Sequence, residues 1–439
     1  MTVPPGSRML EAMRQSGKFI VSLFLFSPAV AAGMTFRDCI QETSANNPQL
    51  RAAAATADRA RAQESSAAGN FLPSVSLSAS RTRDVADVTS NLTGISGKET
   101  NWDSSLGVTV KESLFNGLSD VSRLRQAAAS RGSASFNQEK TNVEVASAMG
   151  TAFIQSVYGN SSRKLQKDLL DRRQSNLRLV QLRFEGGREN KGAMLRSQAA
   201  FAQTRYELSQ AEGARRVNLL QLAGIMGRRD SAGLEVEGDL PSAGPVTMPD
   251  SFDVESHPAV RAAAMQSVAA GHSVEVVRGR FFPEVSASAF FGKSSNNGNS
   301  WKSDARVGVS VSMPLDVNAS IRDELRAATA DKVQAESQLA SVVSDIRNQV
   351  ASARQDVQDA SDRIIALTSA LAASRVQAEI ARSQYSLGLV SFQDWDMVEN
   401  DLISNEKSML AGRRDLALAK VALARALGKG LTELEVQIP

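Results

Sequence analysis

Little in this chain could do covalent or redox chemistry. It holds two histidines and one cysteine, Cys39, so a metal site of ordinary His/Cys density cannot be assembled and no internal disulfide can form. It has no Gly-x-Ser-x-Gly elbow, no phosphate-cradling glycine loop and no His/Cys/Asp group at metal-ligand spacing, the arrangements that hydrolytic, nucleotide and metal chemistry require. The sequence therefore predicts neither an enzyme nor a cofactor. Lys+Arg 50 against Asp+Glu 47 leaves a net charge of +3, too balanced for the electrostatic footprint of a nucleic-acid-binding protein. What remains is the chemistry of charged, glycine-bearing turns, whose meaning depends on the elements that carry them.

The 439 residues could fill two or three domains, but with 5% aromatic content and abundant Ala, Ser, Gln and Arg they suit long helices packed through small residues. At the start, Arg8, Arg14 and Lys18 precede an apolar run from Phe19 to Phe26, then Pro28 and Ala29-Val30-Ala31-Ala32. This pattern predicts a secretory signal peptide with an Ala-x-Ala-type cleavage site, the run being too short to span a bilayer. Cys39 follows Phe36-Arg37-Asp38 rather than the small aliphatic residues of a lipoprotein site, which predicts a buried helical residue. No other stretch reads as a transmembrane helix, so entry into a membrane is expected to rely on strands.

An internal duplication organises the rest. Asn47-Pro48-Gln49-Leu50 returns as His257-Pro258-Ala259-Val260, and Phe71-Leu72-Pro73 returns as Phe281-Phe282-Pro283. Both prolines shift by the same offset, 258 − 48 = 283 − 73 = 210. Proline is absent between Pro73 and Pro241 and again between Pro314 and Pro439, leaving room for long uninterrupted helices. The expected organisation is a signal peptide at 1–32, a first structural repeat at 33–240, a proline-rich linker at 241–250 and a second repeat at 251–439. Each repeat reads as helix, strand, loop, strand, very long helix, turn, long helix.

The strands show period-2 alternation: Val75/Leu77/Ala79, Leu106/Val108/Val110, Val285/Ala287/Ala289 and Val307/Val309/Val311 face one way, with Ser, Gly or Thr at most positions between. An apolar face backed by small polar residues suits a membrane barrel. The loops joining them are expected at about 81–101 and 292–304. From about 317 to 386, Ile321, Leu325, Ala328, Ala335, Leu339, Val342, Ile346, Val350, Ala353, Val357, Ala360, Ile364, Leu367 and Leu371 recur at mostly three- and four-residue steps. They predict a coiled-coil seam on a helix about 100 Å long.

In this order the motifs resemble the TolC-like outer-membrane efflux proteins over nearly the whole mature chain. Leu114-Phe115-Asn116-Gly117 after the second strand, the segment from Gln384 to Asp394, and the Ala426-Leu427-Gly428 ending echoed by Leu222-Ala223-Gly224 belong to the same pattern. The resemblance implies a mainly α fold with a small β part. Long antiparallel coiled-coil helices would form a periplasmic α-barrel, and four strands per chain would contribute to a trimeric 12-stranded outer-membrane β-barrel. It implies an exit duct for efflux or type I secretion in a Gram-negative outer membrane, a homotrimer in lipid that docks with a periplasmic adaptor and an inner-membrane transporter. A periplasmic adaptor or a structural coiled-coil protein is the alternative. An adaptor would show one hairpin inserted in β-rich flanks, and a coiled coil alone would explain neither the signal peptide nor the strands.

The resemblance also places the periplasmic tips. Gly187, Arg188, Glu189 and Asn190 would form the first, Gly388, Leu389, Val390 and Ser391 the second, with Tyr385 and Asp394 as gate candidates. The chain departs from the family pattern in its charged first tip, in Gly192 and Ala193 where Thr and Asp can stand, and in Met397 where a second inward aspartate can lie.

Overall fold

The duplicated Asn-Pro and His-Pro pairs are one capping device used twice. Asn47 Oδ1 accepts from the backbone N–H of Gln49 at 2.8 Å and of Leu50 at 3.1 Å. His257 Nδ1 accepts from the N–H of Ala259 at 3.2 Å. In both, proline takes the first helical position, where a backbone N–H would have no partner. Each cap opens a 22-residue helix, α2 (Pro48–Gly69) and α5 (Pro258–Gly279). The computed structural model describes residues 33–89, 96–241, 252–298 and 300–434. The expected signal peptide and, apart from Pro241, the expected linker lie outside them.

A short helix, α1 (Phe36–Asn46), precedes α2 and buries Cys39, whose thiol is pushed up to about 12 chiefly by burial. After α2 come strands β1 (Ser74–Thr89) and β2 (Ser96–Asn116), then α3 (Ser119–Glu185) and α4 (Lys191–Ile225). After α5 the order recurs: β3 (Glu284–Asn296), β4 (Lys302–Ser312), α6 (Ser320–Leu387) and α7 (Phe392–Ala426), with a terminal turn of helix, α8 (Leu431–Leu434). The two longest helices have 67 and 68 residues, or about 100 Å each. Ile321, Ala328, Ile346, Val350, Ala353, Val357, Ile364 and Leu371 of the expected seam are buried on α6, and the seam runs on through Ser374, Ala378, Ala381 and Tyr385. Its partners are α5 and α7.

One expectation needs correcting. By length and composition alone α6 does qualify as a membrane span, although its seam packs against α5 and α7. Its away-facing side carries exposed Ile365, Val376 and Ile380, an apolar stripe opposite the seam.

The strands form one antiparallel sheet in the order β1-β2-β3-β4, and among the described residues the outer edges of β1 and β4 are unpaired. Register aligns Val75, Val110, Ala289 and Val307 across all four strands, and Leu77, Val108, Phe291 and Ala305 in the next row. Val75, Leu77, Phe291, Val307, Val309 and Val311 of this face are more than half exposed. The opposite face is mostly Ser, Thr and Gly. There Phe290 lies flat across Gly107 and Gly292, whose missing Cβ atoms would collide with its ring, so glycine at both positions lets the aromatic hug the wall. The hairpins are longer than the sequence suggests: β1 and β2 pair out to Thr89↔Ser96, and β3 reaches Asn296. Polar residues stand on both faces beyond Ala79, which erases the alternation although the backbone ladder continues.

The His257 cap makes a pH prediction. Burial, with Lys140 adding to it, holds this imidazole below its ordinary range, against a hydrogen bond to the Arg425 backbone. A depressed folded pKa means that the stabilisation is present above the unfolded value of about 6.5 and is lost as pH falls through the folded one. Melting at pH 7.5 and pH 5 should show an acid loss that His257→Asn, which supplies a non-titrating cap, abolishes. An equal acid loss in the variant would show that the cap is not what titrates.

Candidate functional site

The two helical hairpins end side by side. At the first turn, Gly187 adopts φ +66°, and the N–H of Arg188 reaches back to the Arg183 carbonyl at 2.8 Å. Asn190 then caps α4, its Oδ1 accepting from Ala193 N–H at 2.9 Å. At the second turn Gly388 sits at φ +79°, and the N–H of Leu389 bonds the Gln384 carbonyl at 2.9 Å. These are left-handed helix endings that glycine alone adopts without strain. Ser391 caps α7: its Oγ accepts from Asp394 N–H at 3.2 Å and donates to Asp394 Oδ2 at 2.7 Å.

Between the turns lies an aromatic lock. Tyr385 on α6 is fully buried and stacks on Trp395 of α7, ring centroids 4.4 Å apart and 10° from parallel, and meets Phe392 edge to face with centroids 6.2 Å apart. Its hydroxyl donates to Glu189 Oε2 of the first tip at 2.9 Å. Arg183 of α3 lies 4.6 Å from the same ring and donates through Nη1 to the Tyr385 carbonyl at 2.7 Å and to that of Ser386 at 3.3 Å. Burial first, then the neighbouring Glu189 carboxylate, pushes the Tyr385 phenol well above its ordinary range. Val180, Ala193, Ala381 and Phe392 close the packing around it.

Of the residues expected at the tips, Tyr385 and Glu189 are brought together across the two hairpins. Gly187, Arg188, Asn190, Gly388, Leu389 and Ser391 lie exposed on the turns, and Val390 is half-buried. Asp394 is exposed and held as a helix-capping acid, apart from Tyr385's hydrogen-bond partners. Leu387 and Leu389 are about 70% exposed, at 72% and 71%, which gives the tip an apolar crest. Sequence reasoning missed Arg183 and Trp395. The 385/392/395 aromatic spacing was the available signal for Trp395; Arg183 is one of many surface-patterned arginines and carried none.

Further up the bundle a buried polar seam joins α3 and α4 to α7. Arg173 Nη1 lies 3.5 Å from Asp396 Oδ1, and Nη2 donates to Asn400. Arg196 Nε lies 3.2 Å from Asp396 Oδ2. Glu399 and Asn176 are buried beside them. No metal-holding cluster of His, Cys, Asp or Glu occurs among the described residues.

Residues 39–228 and 254–429 match the family described as "Outer membrane efflux protein". The chain is 22% identical over 410 residues to the probable efflux pump outer membrane protein TtgC of Pseudomonas putida KT2440, covering 90% of this chain and 83% of that one. It shows the same figures against the antibiotic efflux pump outer membrane protein ArpC of Pseudomonas putida. Among solved structures it is similar to the outer-membrane channel OprN, with a TM-score of 0.81 and 23% identity over 90% of each chain. It is also similar to VceC of Vibrio cholerae, with a TM-score of 0.79 and 19% identity over 90% and 96% of the two chains.

Proposed function

The chain belongs to the outer membrane efflux protein family, and from that premise we propose that three copies close one barrel and serve as the exit duct of an efflux or type I secretion assembly. It is an outer-membrane channel protein and not an enzyme, with a large periplasmic helical part. The observation that carries the oligomer is the open four-stranded sheet with an apolar outer face and unpaired strands at both edges. Unpaired backbone in hydrocarbon costs several kcal/mol per group, so the edges must meet other copies. Two copies would make about eight strands, a barrel whose interior side chains fill. Three make roughly twelve, with a backbone radius of about 12 Å at 4.8 Å between strands and a tilt near 40°. Inward-facing Ser, Thr and Gly then leave a wet lumen.

At the other end, the exposed Leu387 and Leu389 crest with Arg188 and Lys191 supports docking to a periplasmic adaptor, and through it to an inner-membrane transporter. Native mass spectrometry in detergent should give three copies; a stable monomer would sink the reading. Threefold symmetry would bring Asp394 into a ring of acids near the mouth, where converging like charges focus the field on cations. Multivalent cations should then block current from the periplasmic side alone, and Asp394→Asn should weaken the block. Because Met397 stands one helical turn on and Arg188 and Lys191 lie on the neighbouring tip, the block should be modest. Equal cation sensitivity in wild type and variant would remove Asp394 from the gate.

A further inference from the structure

The outward-facing register of the sheet does not stop where its apolar residues end. On β1 the row Val75, Leu77, Ala79 continues through Arg81 and Arg83. On β2 the same face runs Val110, Val108, Leu106, Ser104, Trp102, and on β3 it runs Ala289, Phe291, Lys293. Arg81 and Arg83 lie toward the end of the sheet away from the helices, beyond the row of Ala79 and Leu106, and Lys293 stands at that boundary row, opposite Leu106. Both guanidinium groups stack on one ring: Arg81 lies 4.6 Å and Arg83 5.7 Å from the Trp102 centroid. Stacking orders the planar group while leaving its N–H edges open to donate. Arg81, Arg83 and Lys293 are exposed and form no ion pair with a carboxylate among the described residues. The acid nearest in sequence on this face, Asp87, stands opposite Lys98 in the ladder. The contrast with the inner face is sharp, because Arg306 there is held by Asp304.

Uncompensated cations are costly at the edge of a hydrocarbon layer unless an anion meets them. Trp102 at the same level is the amphipathic residue that marks a membrane boundary. Facing outward and away from the periplasmic helices, this patch sits at the headgroup layer of the outer leaflet, where the outer membrane's lipids carry phosphorylated sugars. We propose that Arg81, Arg83 and Lys293, braced by Trp102, form a binding site for the phosphates of a lipid A-type glycolipid. Two strands and one two-residue step separate Arg81 from Lys293, about 12 Å between Cα atoms, so the site can grip a bisphosphorylated headgroup from two sides. Arginine's fork suits such an anion better than lysine's single point charge. The site rests on reading this face as the lipid-facing one.

The test uses the full-length protein, purified in detergent and titrated with bisphosphorylated lipid A, with its dephosphorylated form and with inorganic phosphate. Retained lipid is counted by native mass spectrometry. Replacing the cations together (Arg81→Gln, Arg83→Gln, Lys293→Gln) should lower lipid A retention by roughly tenfold or more, and the dephosphorylated lipid should bind wild type as weakly as lipid A binds the variant. Arg306→Gln, on the inner face, should retain lipid A like wild type. If wild type and the triple variant assemble alike and hold equal amounts of lipid A, the site is overturned while the barrel stands. If inorganic phosphate displaces lipid A at equal concentration, the site is a free-anion site and the lipid assignment falls. A wild type that does not oligomerise would overturn the barrel and this site with it.

Discussion

Tyr385→Phe should raise conductance in planar bilayers, on the proposal that the joined hairpin tips narrow the duct. The substitution keeps the ring stacked on Trp395 and under Arg183 and removes only the hydroxyl that donates to Glu189 at 2.9 Å. A hydrogen bond to a charged group contributes about 1.5–3 kcal/mol, and about 1.4 kcal/mol is a factor of ten in an equilibrium. If the bond is made only when the two hairpin tips are together, the separated population should rise by roughly ten- to a hundredfold. Arg183→Met should act in the same direction, because it removes the donors to the Tyr385 and Ser386 carbonyls. The double variant should not exceed the sum of the two, since both act on one contact. Alkali gives a further check. The raised phenol pKa means that the lock is fully present below the ordinary tyrosine value of about 10 and is lost only as pH rises through the higher folded value. Conductance should therefore hold steady to about pH 10. Unchanged conductance in all three variants would reduce the contact to packing.

Much of this architecture was legible because it repeats. A 210-residue offset that carries Asn47-Pro48 onto His257-Pro258 fixes two helix starts at once, and the caps found at both explain why an Asn and a His can exchange there. The α6 seam was legible because its alanines and aliphatics keep three- and four-residue steps for many turns. The outer halves of the hairpins were not. Past Ala79 both faces are mostly polar, so Arg81 and Arg83 look like loop residues until the ladder pairs them beside Trp102. The tip lock was half legible: the glycines announce the turns, whereas the meeting of Glu189 with Tyr385 depends on how two hairpins 196 residues apart in sequence align. The buried seam at Arg173 was illegible for another reason. Asp396 and Glu399 sit among charged neighbours on a helix whose pattern marks no polar core, and only packing against α3 takes them out of water.

That seam carries the other large effect expected of a single substitution. Arg173 is 8% exposed and Asp396 7%, so neither charge can be released to solvent without separating α3 from α7. Asp396→Ala would leave Arg173 buried and Arg196 without its partner. Breaking a buried pair from one side costs about 3–5 kcal/mol, whereas replacing both members by apolar residues of similar volume is often neutral or better. Urea unfolding should accordingly show a large loss for Asp396→Ala and for Arg173→Ala, with most of it recovered in the double variant Arg173→Met/Asp396→Leu. Several atoms here have no partner among the described residues: Arg173 Nε, both amide atoms of Asn176, Glu399 Oε2 and Trp395 Nε1. They are natural seats for bound water, and the double variant, which removes Arg173 Nε, should keep the waters at Asn176, Glu399 and Trp395. If the seam only stabilises, the double variant should conduct like wild type. If it also sets how far α7 can swing from α3, the double variant should be stable and yet open more often, a combination that a purely structural role cannot produce. Stability and single-channel conductance measured on wild type and the three variants decide between the two, and stability equal to wild type in all three variants would show that the pair contributes nothing to the fold.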